Sequence, residues 1–321
     1  MNARVSALLL TGLAAVTSLG LVRCTNTNTT IVVKGDSGTE EEDGAVPEED
    51  GEAPSNCPAF EPAKTLATVK AADVTEGSGI AASSKNPGVF WIHNDSGDTA
   101  RVFAIGTDGE LKATVAFDTA KPSDIEDIAL EVDGDNSYLY LGDIGDNAEA
   151  RASLTIHRVA EPKLGTGAPQ VLTATSEKMT VVYPDGAHNA ETLLFDPIDK
   201  ELLIFTKVSG KPAAFHRIGK FAAGTKATTE KIADFTFTLA TGGEISRDGK
   251  YIAVRGYQKT GYLWTRGEGE SLAAALAKKP CSIPIADVGQ GEALDFLPDG
   301  SGYVTIVEGT ASPIKLINFK Q

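Results

Sequence analysis

A recurring pattern of short β-rich runs constrains the fold of this chain more than any other feature. From residue 63 onward, apolar runs such as 89–92 and 138–141 are separated by turn pairs such as Asp133-Gly134 and Asp248-Gly249. Superposing the segments gives one register position per repeat, and successive positions lie 48, 65, 50 and 51 residues apart. These positions are Ser78, Glu126, Glu191, Thr241 and Glu292. A period near fifty residues is typical of arrays of four-stranded units.

The apolar runs indicate how these units pack. They are continuous and do not alternate with polar residues, so both faces of each strand should be covered. Face-to-face packing of this kind is what β-propeller blades require. We therefore predict an all-β chain that forms a single β-propeller of four-stranded blades, with five blades counted and six as the alternative. The fifth repeat ends near Phe319 with only three strands, and the run 65–70 is expected to supply the fourth and close the ring.

Two insertions interrupt the repeat, and the first of them lengthens the second interval to 65 residues. The second interval is expected to hold a loop at 145–153. Residues 270–279, followed by Pro280, predict one helix inserted after the fourth repeat.

The N-terminal region predicts export. Residues 1–23 form a signal peptide in which Arg4 precedes an uncharged apolar stretch, 5–22. The end of this stretch is similar to a bacterial lipobox and predicts lipid on Cys24, although Arg23 stands where a small residue is usual. The alternative is an uncleaved anchor, because 18 apolar residues just span a bilayer. Both alternatives place the protein in the bacterial cell envelope, in the periplasm or at the outer membrane, and membrane contact is expected only through this lipid or anchor.

Residues 24–62 are predicted to be an acidic, disordered tether ahead of the propeller at 63–321. The stretch 36–52 holds nine carboxylates and no base, so it cannot bury apolar surface and repels itself. The formal net charge of the whole chain, −15, argues against a nucleic-acid partner, whose binding surface would be basic. We expect a monomer.

The cysteines fit an exported protein. With Cys24 assigned to lipid, Cys57 and Cys281 are left as one candidate disulfide in an oxidising compartment. Neither has partners at the spacing of a zinc site.

Several runs resemble a known family. The segments 77–81, 93–98, 126–129 and 142–147 are similar to exported bacterial β-propeller lipoproteins of the phytase-like and TolB-like kind, which are largely uncharacterised. The resemblance covers residues 63–321. It implies the propeller architecture and does not by itself imply an activity.

The register predicts a charged mouth at one end of the ring. The start of each first strand and the end of each second strand share one end of an antiparallel blade. The second-strand ends are aligned as Asp95, Asp143, Lys207, Arg255 and Glu308.

Two kinds of site are predicted at this mouth. The residues predicted as Ca²⁺ ligands are Glu126, Glu191, Glu292 and Asp143, because clustered oxygen ligands suit that ion. The residues predicted to bind a ligand are Lys207, Arg255, Asp95 and Glu308. The alternative is a salt-bridge network that plugs the channel. His93 and His188 adjoin the mouth in sequence and are the candidate acid or base groups.

Three functions remain open from the sequence. The chain has no G-x-S-x-G, H-E-x-x-H or P-loop motif, so no catalytic signature is complete. The leading hypothesis is a non-enzymatic module that binds an envelope protein or a small anionic ligand. The alternatives are a Ca²⁺-dependent phosphoesterase-like hydrolase, with Lys207 and Arg255 as a phosphate clamp, and a purely structural envelope protein.

Overall fold

The structure is a computed structural model that describes residues 57–95, 97–118, 121–208, 212–237, 239–257, 259–286 and 289–320. The predicted signal peptide, Cys24 and the predicted tether up to residue 56 lie outside the described residues. The described part of the chain holds no helix with the length and apolarity that a membrane crossing needs.

The described residues form β-strands almost throughout. One short helix, α1 (Leu272–Leu276), is capped by Ser271 and lies within the predicted helix at 270–279. In chain order the strands are β1 (Lys64–Thr68), β2 (Gly77–Ala82), β3 (Val89–Asn94), β4 (Arg101–Gly106), β5 (Leu111–Phe117), β6 (Ile125–Asp133), β7 (Asn136–Asp143), β8 (Leu154–Ala160), β9 (Gln170–Ala174), β10 (Ser176–Val182), β11 (Ala190–Asp196), β12 (Glu201–Thr206), β13 (Ala213–Gly219), β14 (Lys226–Thr228), β15 (Glu230–Phe235), β16 (Ala240–Ile245), β17 (Tyr251–Gly256), β18 (Thr260–Thr265), β19 (Cys281–Pro284), β20 (Gly291–Phe296), β21 (Gly302–Val307) and β22 (Pro313–Asn318).

The strands build five sheets, and in each sheet four antiparallel strands form one blade of a β-propeller. From the centre outward, blade 1 is β2-β3-β4-β5, blade 2 is β6-β7-β8-β10, and blade 3 is β11-β12-β13-β15. Blade 4 is β16-β17-β18-β19, and blade 5 is β20-β21-β22-β1. The inner strands contact one another in a closed ring, in the order β2, β6, β11, β16, β20 and back to β2. The prediction of an all-β, five-bladed propeller is confirmed.

The ring closes by joining the two ends of the described chain. Strand β1 pairs antiparallel with β22, with Lys64 opposite Leu316, and so supplies the strand that blade 5 lacks, as predicted. A disulfide between Cys57 and Cys281 joins the segment before β1 to β19, the outer strand of blade 4. The outer edge of blade 5 is therefore bonded to the neighbouring blade.

Two further strands were not predicted from the sequence. Strand β9 leaves blade 2 between β8 and β10 and pairs in parallel with β5 at the outer edge of blade 1, with Gln170 opposite Ala113. Strand β14 leaves blade 3 and pairs in parallel with β10 of blade 2. The long second interval therefore holds an edge strand as well as the expected loop. One face of β9 is open to solvent, and Val171 on that face is 87% exposed.

The continuous apolar runs are buried on both faces, as predicted. Every residue of β11 and β20 is buried, and side chains such as Trp91 and Leu203 lie between adjacent blades. Each large apolar side chain that is removed from water in this way contributes about 1.5–3 kcal/mol. Packing between blades is therefore the main source of stability of the ring.

One buried carboxylate ties blade 1 to blade 2. Glu161, which follows β8, accepts hydrogen bonds from the hydroxyls of Ser83 and Ser137 and from the indole N–H of Trp91. It also accepts from the backbone N–H groups of Ser84 and Lys85. A charge this deeply buried is tolerated only where donors surround it.

Candidate functional site

All five inner strands carry a β-bulge at the predicted register position. In each blade the pairing between the first and second strands skips one residue, the second residue of the inner strand. A bulge re-aims a side chain and is common beside functional sites. The five skipped residues are Ser78, Glu126, Glu191, Thr241 and Glu292.

Six carboxyl groups gather at this end of the ring, and we call them the acidic mouth. Three come from bulge positions and three from the segments next to them, and electrostatic interactions connect them to one another. Like charges held at short range, with burial, favour the protonated form of a carboxyl group. The members are Asp95, Asp124, Glu126, Glu191, Glu292 and Glu308.

Asp95, Asp124 and Glu126 form the tightest part of the acidic mouth. One carboxyl oxygen of each lies within 4.8 Å of the others. Burial and Asp95 raise the pKa of Asp124 to about 6, and burial with Glu191 raises the pKa of Glu126 well above its usual value. Ca²⁺ binds oxygen ligands at about 2.3–2.6 Å, so oxygens up to about 5 Å apart can share one ion. The three side chains fit a Ca²⁺ ion.

Gly145 makes this convergence sterically feasible. A Cβ atom at this position would lie 2.1 Å from Glu126 Oε1 and 2.2 Å from Asp124 Oδ2. Any other residue at 145 would displace both carboxyl groups. The lack of a side chain at Gly145, in the β7–β8 loop, therefore leaves the space that the two carboxyl groups occupy.

Lys207 is already bonded within the mouth. Its ammonium group donates to Glu191 Oε1 at 2.5 Å and to Tyr257 Oη at 2.6 Å. Burial lowers the pKa of Lys207, but Glu191 and Tyr257 outweigh it, so the pKa is raised overall. Burial raises the pKa of Glu191 to about 7, although Lys207 opposes this. Lys207 and Glu191 form a buried ion pair.

Arg255 lies deeper than the mouth. It is fully buried and donates to the carbonyl oxygen of Gly256 at 3.2 Å and to that of Ile306 at 3.5 Å. Its guanidinium occupies the space over Gly291, where a Cβ atom would lie 1.5 Å from Nη2. Its charge lowers the pKa of Glu292, but burial, Glu191 and Glu308 outweigh it and raise that pKa well above the usual value.

The other predicted site residues have local partners. Asp143 pairs with Arg151 at 2.8 Å and accepts from the backbone N–H groups of Ser123 and Asp124. It is absent from the tight group of Asp95, Asp124 and Glu126, and its role as a metal ligand stays a prediction.

The two candidate histidines make hydrogen bonds outside the acidic mouth. His93 Nδ1 lies 2.8 Å from the carbonyl oxygen of Asn94, and burial lowers its pKa. His188 Nε2 lies 3.0 Å from Asp185 Oδ1. Their catalytic roles also stay predictions.

The strand pairing corrects the predicted alignment of the second strands. The residues that follow the paired ends are Asp95, Lys207, Tyr257 and Glu308. Arg255 lies two residues before this position, and Asp143 lies one residue before it in blade 2. The correct alignment could have been predicted from the spacing, because Lys207, Tyr257 and Glu308 are 50 and 51 residues apart, as are the bulge residues of the same blades.

Comparisons with known proteins add little. No known protein family matches the chain, and no curated protein matches it significantly. Similar solved structures include one of U3-55K, at 11% identity and a TM-score of 0.41, covering 82% of this chain and 100% of that one. Another is a crystal structure of RRP9 WD40 repeats, also at 11% identity and 0.41, covering 84% and 99%. The fold assignment rests on the strand topology, and neither likeness bears on function.

Proposed function

We propose that the protein is a non-enzymatic binding module whose acidic mouth holds a cationic ligand, with Ca²⁺ as the defined probe. The observation that carries this proposal is the convergence of the Asp95, Asp124 and Glu126 carboxyl oxygens within 4.8 Å beside Gly145. Oxygen ligands in a wide, irregular arrangement suit Ca²⁺ better than Mg²⁺, which requires near-octahedral geometry.

The charges at the mouth favour a cation over the anionic ligand suggested by the sequence. Lys207 is bonded to Glu191 and Tyr257, and Arg255 donates to backbone carbonyl oxygens. A phosphate group would have to displace these bonds and approach six carboxyl groups. The same contacts weigh against the phosphate clamp of a hydrolase, so binding is the better-supported function.

The experiment is a thermal melt of the protein with added Ca²⁺, Mg²⁺ or chelator. A ligand that binds only the folded state stabilises it by about 2.7 kcal/mol at one hundred times its Kd, so Ca²⁺ should raise the melting temperature. Asp124→Asn and Glu126→Gln should each weaken or abolish this shift. Asp234→Asn is the matched control, because Asp234 is an exposed carboxylate that pairs with Lys231 and lies outside the mouth.

Isothermal titration calorimetry gives a second measurement of the same binding. A melting temperature that does not change when Ca²⁺ is added, together with no heat of binding, would contradict the proposal. The internal ion pairs and carboxyl contacts of the mouth would then be structural, as the salt-bridge alternative holds.

We further propose that the propeller works outside the cytoplasm, carried by a lipid on Cys24. The Cys57–Cys281 disulfide supports this, because such bonds persist in oxidising compartments. Fractionation tests it: the wild-type protein should be in the membrane fraction and Cys24→Ser should not. An identical distribution of both proteins would contradict the lipid anchor.

A further inference from the structure

Three hydrogen bonds hold the segment that carries Asp124. The Asp143 carboxylate accepts from the backbone N–H groups of Ser123 at 3.1 Å and of Asp124 at 3.0 Å. The carbonyl oxygen of Asp124 accepts from the N–H of Gly145 at 3.3 Å. Asp124 lies ahead of β6, outside the strand pairing of blade 2. Its position at the acidic mouth therefore depends on Asp143 and on the β7–β8 loop.

Arg151 joins the two parts of this support. Its Nη2 pairs with Asp143 Oδ1 at 2.8 Å, and its Nη1 donates to the carbonyl oxygen of Gly145 at 2.7 Å. The guanidinium fork thus bonds both residues that hold Asp124. The side chains of Arg151 and Asp143 are only 21% and 7% exposed, so water competes little for these bonds.

The β7–β8 loop in turn holds Arg151. The Asp146 carboxylate accepts from the backbone N–H groups of Ala150 at 3.0 Å and of Arg151 at 2.7 Å. The side-chain oxygen of Asn189, which precedes β11, accepts from the Asp146 N–H at 2.7 Å. The loop is therefore bonded both to itself and to blade 3. The guanidinium is preorganised, so orienting it costs little entropy when a ligand binds.

The crowding of carboxyl groups at the acidic mouth explains why such support is needed. Asp95, Asp124 and Glu126 converge within 4.8 Å, and like charges at this range repel one another. Asp124 stands on a loop, so it would move outward if its backbone were released. Both Asp143 oxygens are already bonded, Oδ1 to the Asp124 N–H and Arg151, and Oδ2 to the Ser123 N–H. These bonds favour a positioning role for Asp143 over the role of a metal ligand.

We propose that Asp143 and Arg151 are positioning residues that hold Asp124 in the geometry needed to bind a cation at the acidic mouth. This inference rests on the proposed function, because it takes Asp124 as a ligand of the ion. It adds that the affinity of the site is set partly by an acidic and a basic residue that do not touch the ion.

The first test is isothermal titration calorimetry of the full chain with Ca²⁺, comparing the wild type with Arg151→Met. Arg151 interacts electrostatically with Asp124, so if it did nothing else, removing its positive charge would tighten cation binding. Loss of a residue that orients a metal ligand weakens binding instead, by about 10- to 100-fold. We therefore expect Arg151→Met to bind Ca²⁺ about tenfold more weakly or worse.

Two further variants sharpen this comparison. Arg151→Lys keeps the positive charge but lacks the guanidinium fork, so it should also bind Ca²⁺ more weakly than the wild type. Arg158→Met is the matched control, because Arg158 lies on the same blade and pairs with the half-exposed Glu177. It should leave the affinity for Ca²⁺ unchanged.

A second measurement needs no ion. Amide hydrogen exchange, followed by NMR in the Ca²⁺-free protein, reports the bonds that Ser123 and Asp124 donate to Asp143. Both amides should exchange faster in Arg151→Met. They should also exchange faster in Asp143→Asn, because the NH₂ group of asparagine cannot accept from an N–H. The amides of β17 should stay protected in both variants, which would show that the ring remains folded.

The possible failures can be told apart. The inference is overturned if Arg151→Met binds Ca²⁺ as tightly as the wild type or more tightly, or if the Ser123 and Asp124 amides keep their protection in both variants. A wild-type protein that binds no Ca²⁺ would instead overturn the proposed function, and with it the ligand role of Asp124 that this inference requires.

Discussion

The Glu161 carboxylate offers the sharpest test of how the blades are held together. Its oxygens accept bonds from the indole N–H of Trp91 at 2.9 Å and from the Ser137 hydroxyl at 2.5 Å, as well as from Ser83 and two backbone N–H groups. Every one of these partners is a donor. We therefore expect Glu161→Gln to be strongly destabilising although it barely changes the side-chain volume.

The magnitude follows from the bonds that glutamine cannot keep. Its amide oxygen can still accept from Trp91 and Ser83, but its NH₂ group meets the Lys85 N–H, which can only donate. The Ser137 hydroxyl can rotate and accept. Each hydrogen bond to a charged group contributes about 1.5–3 kcal/mol, so losing the charge and one bond should cost about 2–3 kcal/mol. For a domain of this size that is a fall in melting temperature of roughly 4–12 °C.

The assay is urea unfolding followed by circular dichroism, with the wild-type slope as a check that the unfolding transition is unchanged. Glu177→Gln is the matched control, because Glu177 pairs with Arg158 at 2.5 Å but is 46% exposed. An exposed pair contributes at most about 1 kcal/mol. If Glu161→Gln costs no more than Glu177→Gln, the buried carboxylate does not tie the blades as argued.

Two further predictions concern the ring closure and pH. Reducing the Cys57–Cys281 disulfide, or replacing both cysteines by Ser, should lower the free energy of unfolding measured in urea by about 2–5 kcal/mol. Reductant should have no further effect on the double variant. Equal stability of the wild-type protein with and without reductant would contradict this prediction. The pKa of Asp124 rises from 3.8 to about 6 on folding, so the folded chain retains a proton that the unfolded chain releases. Protonation of Asp124 therefore stabilises the folded state at low pH, and this stabilisation is lost as the pH rises from about 4 to 6. Relative to the wild type, Asp124→Asn should therefore gain stability over that pH range, measured from urea midpoints, and a difference independent of pH would contradict the assignment.

The ring was predictable because its requirements repeat in each blade. A strand buried on both faces needs a continuous apolar run, and the bulge at the start of the inner strand frees one position for a polar residue. The register positions therefore recur every 48 to 51 residues, except across the 65-residue interval that holds β9. The closing strand was predictable for the same reason, because the fifth repeat was one strand short.

Features that occur only once were not predictable. Asp124 joins the acidic mouth from the loop before β6, two residues ahead of the bulge position. The other blades carry Glu76, Asn189, Leu239 and Gln290 there, so the residue type does not repeat. Strand β9 pairs with β5, more than fifty residues away, and it lacks the continuous buried apolar run of the blade strands. Glu161 was missed because it looks like any surface glutamate until the fold places Trp91 and Ser137 beside it.

The two parallel edge strands have a consequence for modularity. Because β9 belongs to the chain of blade 2 but pairs with blade 1, deleting the sequence of blade 2 would also strip the outer edge of its neighbour. Strand β14 links blades 3 and 2 in the same way. Blades 1 to 3 are therefore interlaced, and this propeller could not gain or lose a blade in that half by simple duplication or excision of one repeat. Blades 4 and 5 donate no such strand in the described chain, but β1 completes blade 5 and the Cys57–Cys281 disulfide bonds the segment before β1 to blade 4, so excising either blade would break the ring closure.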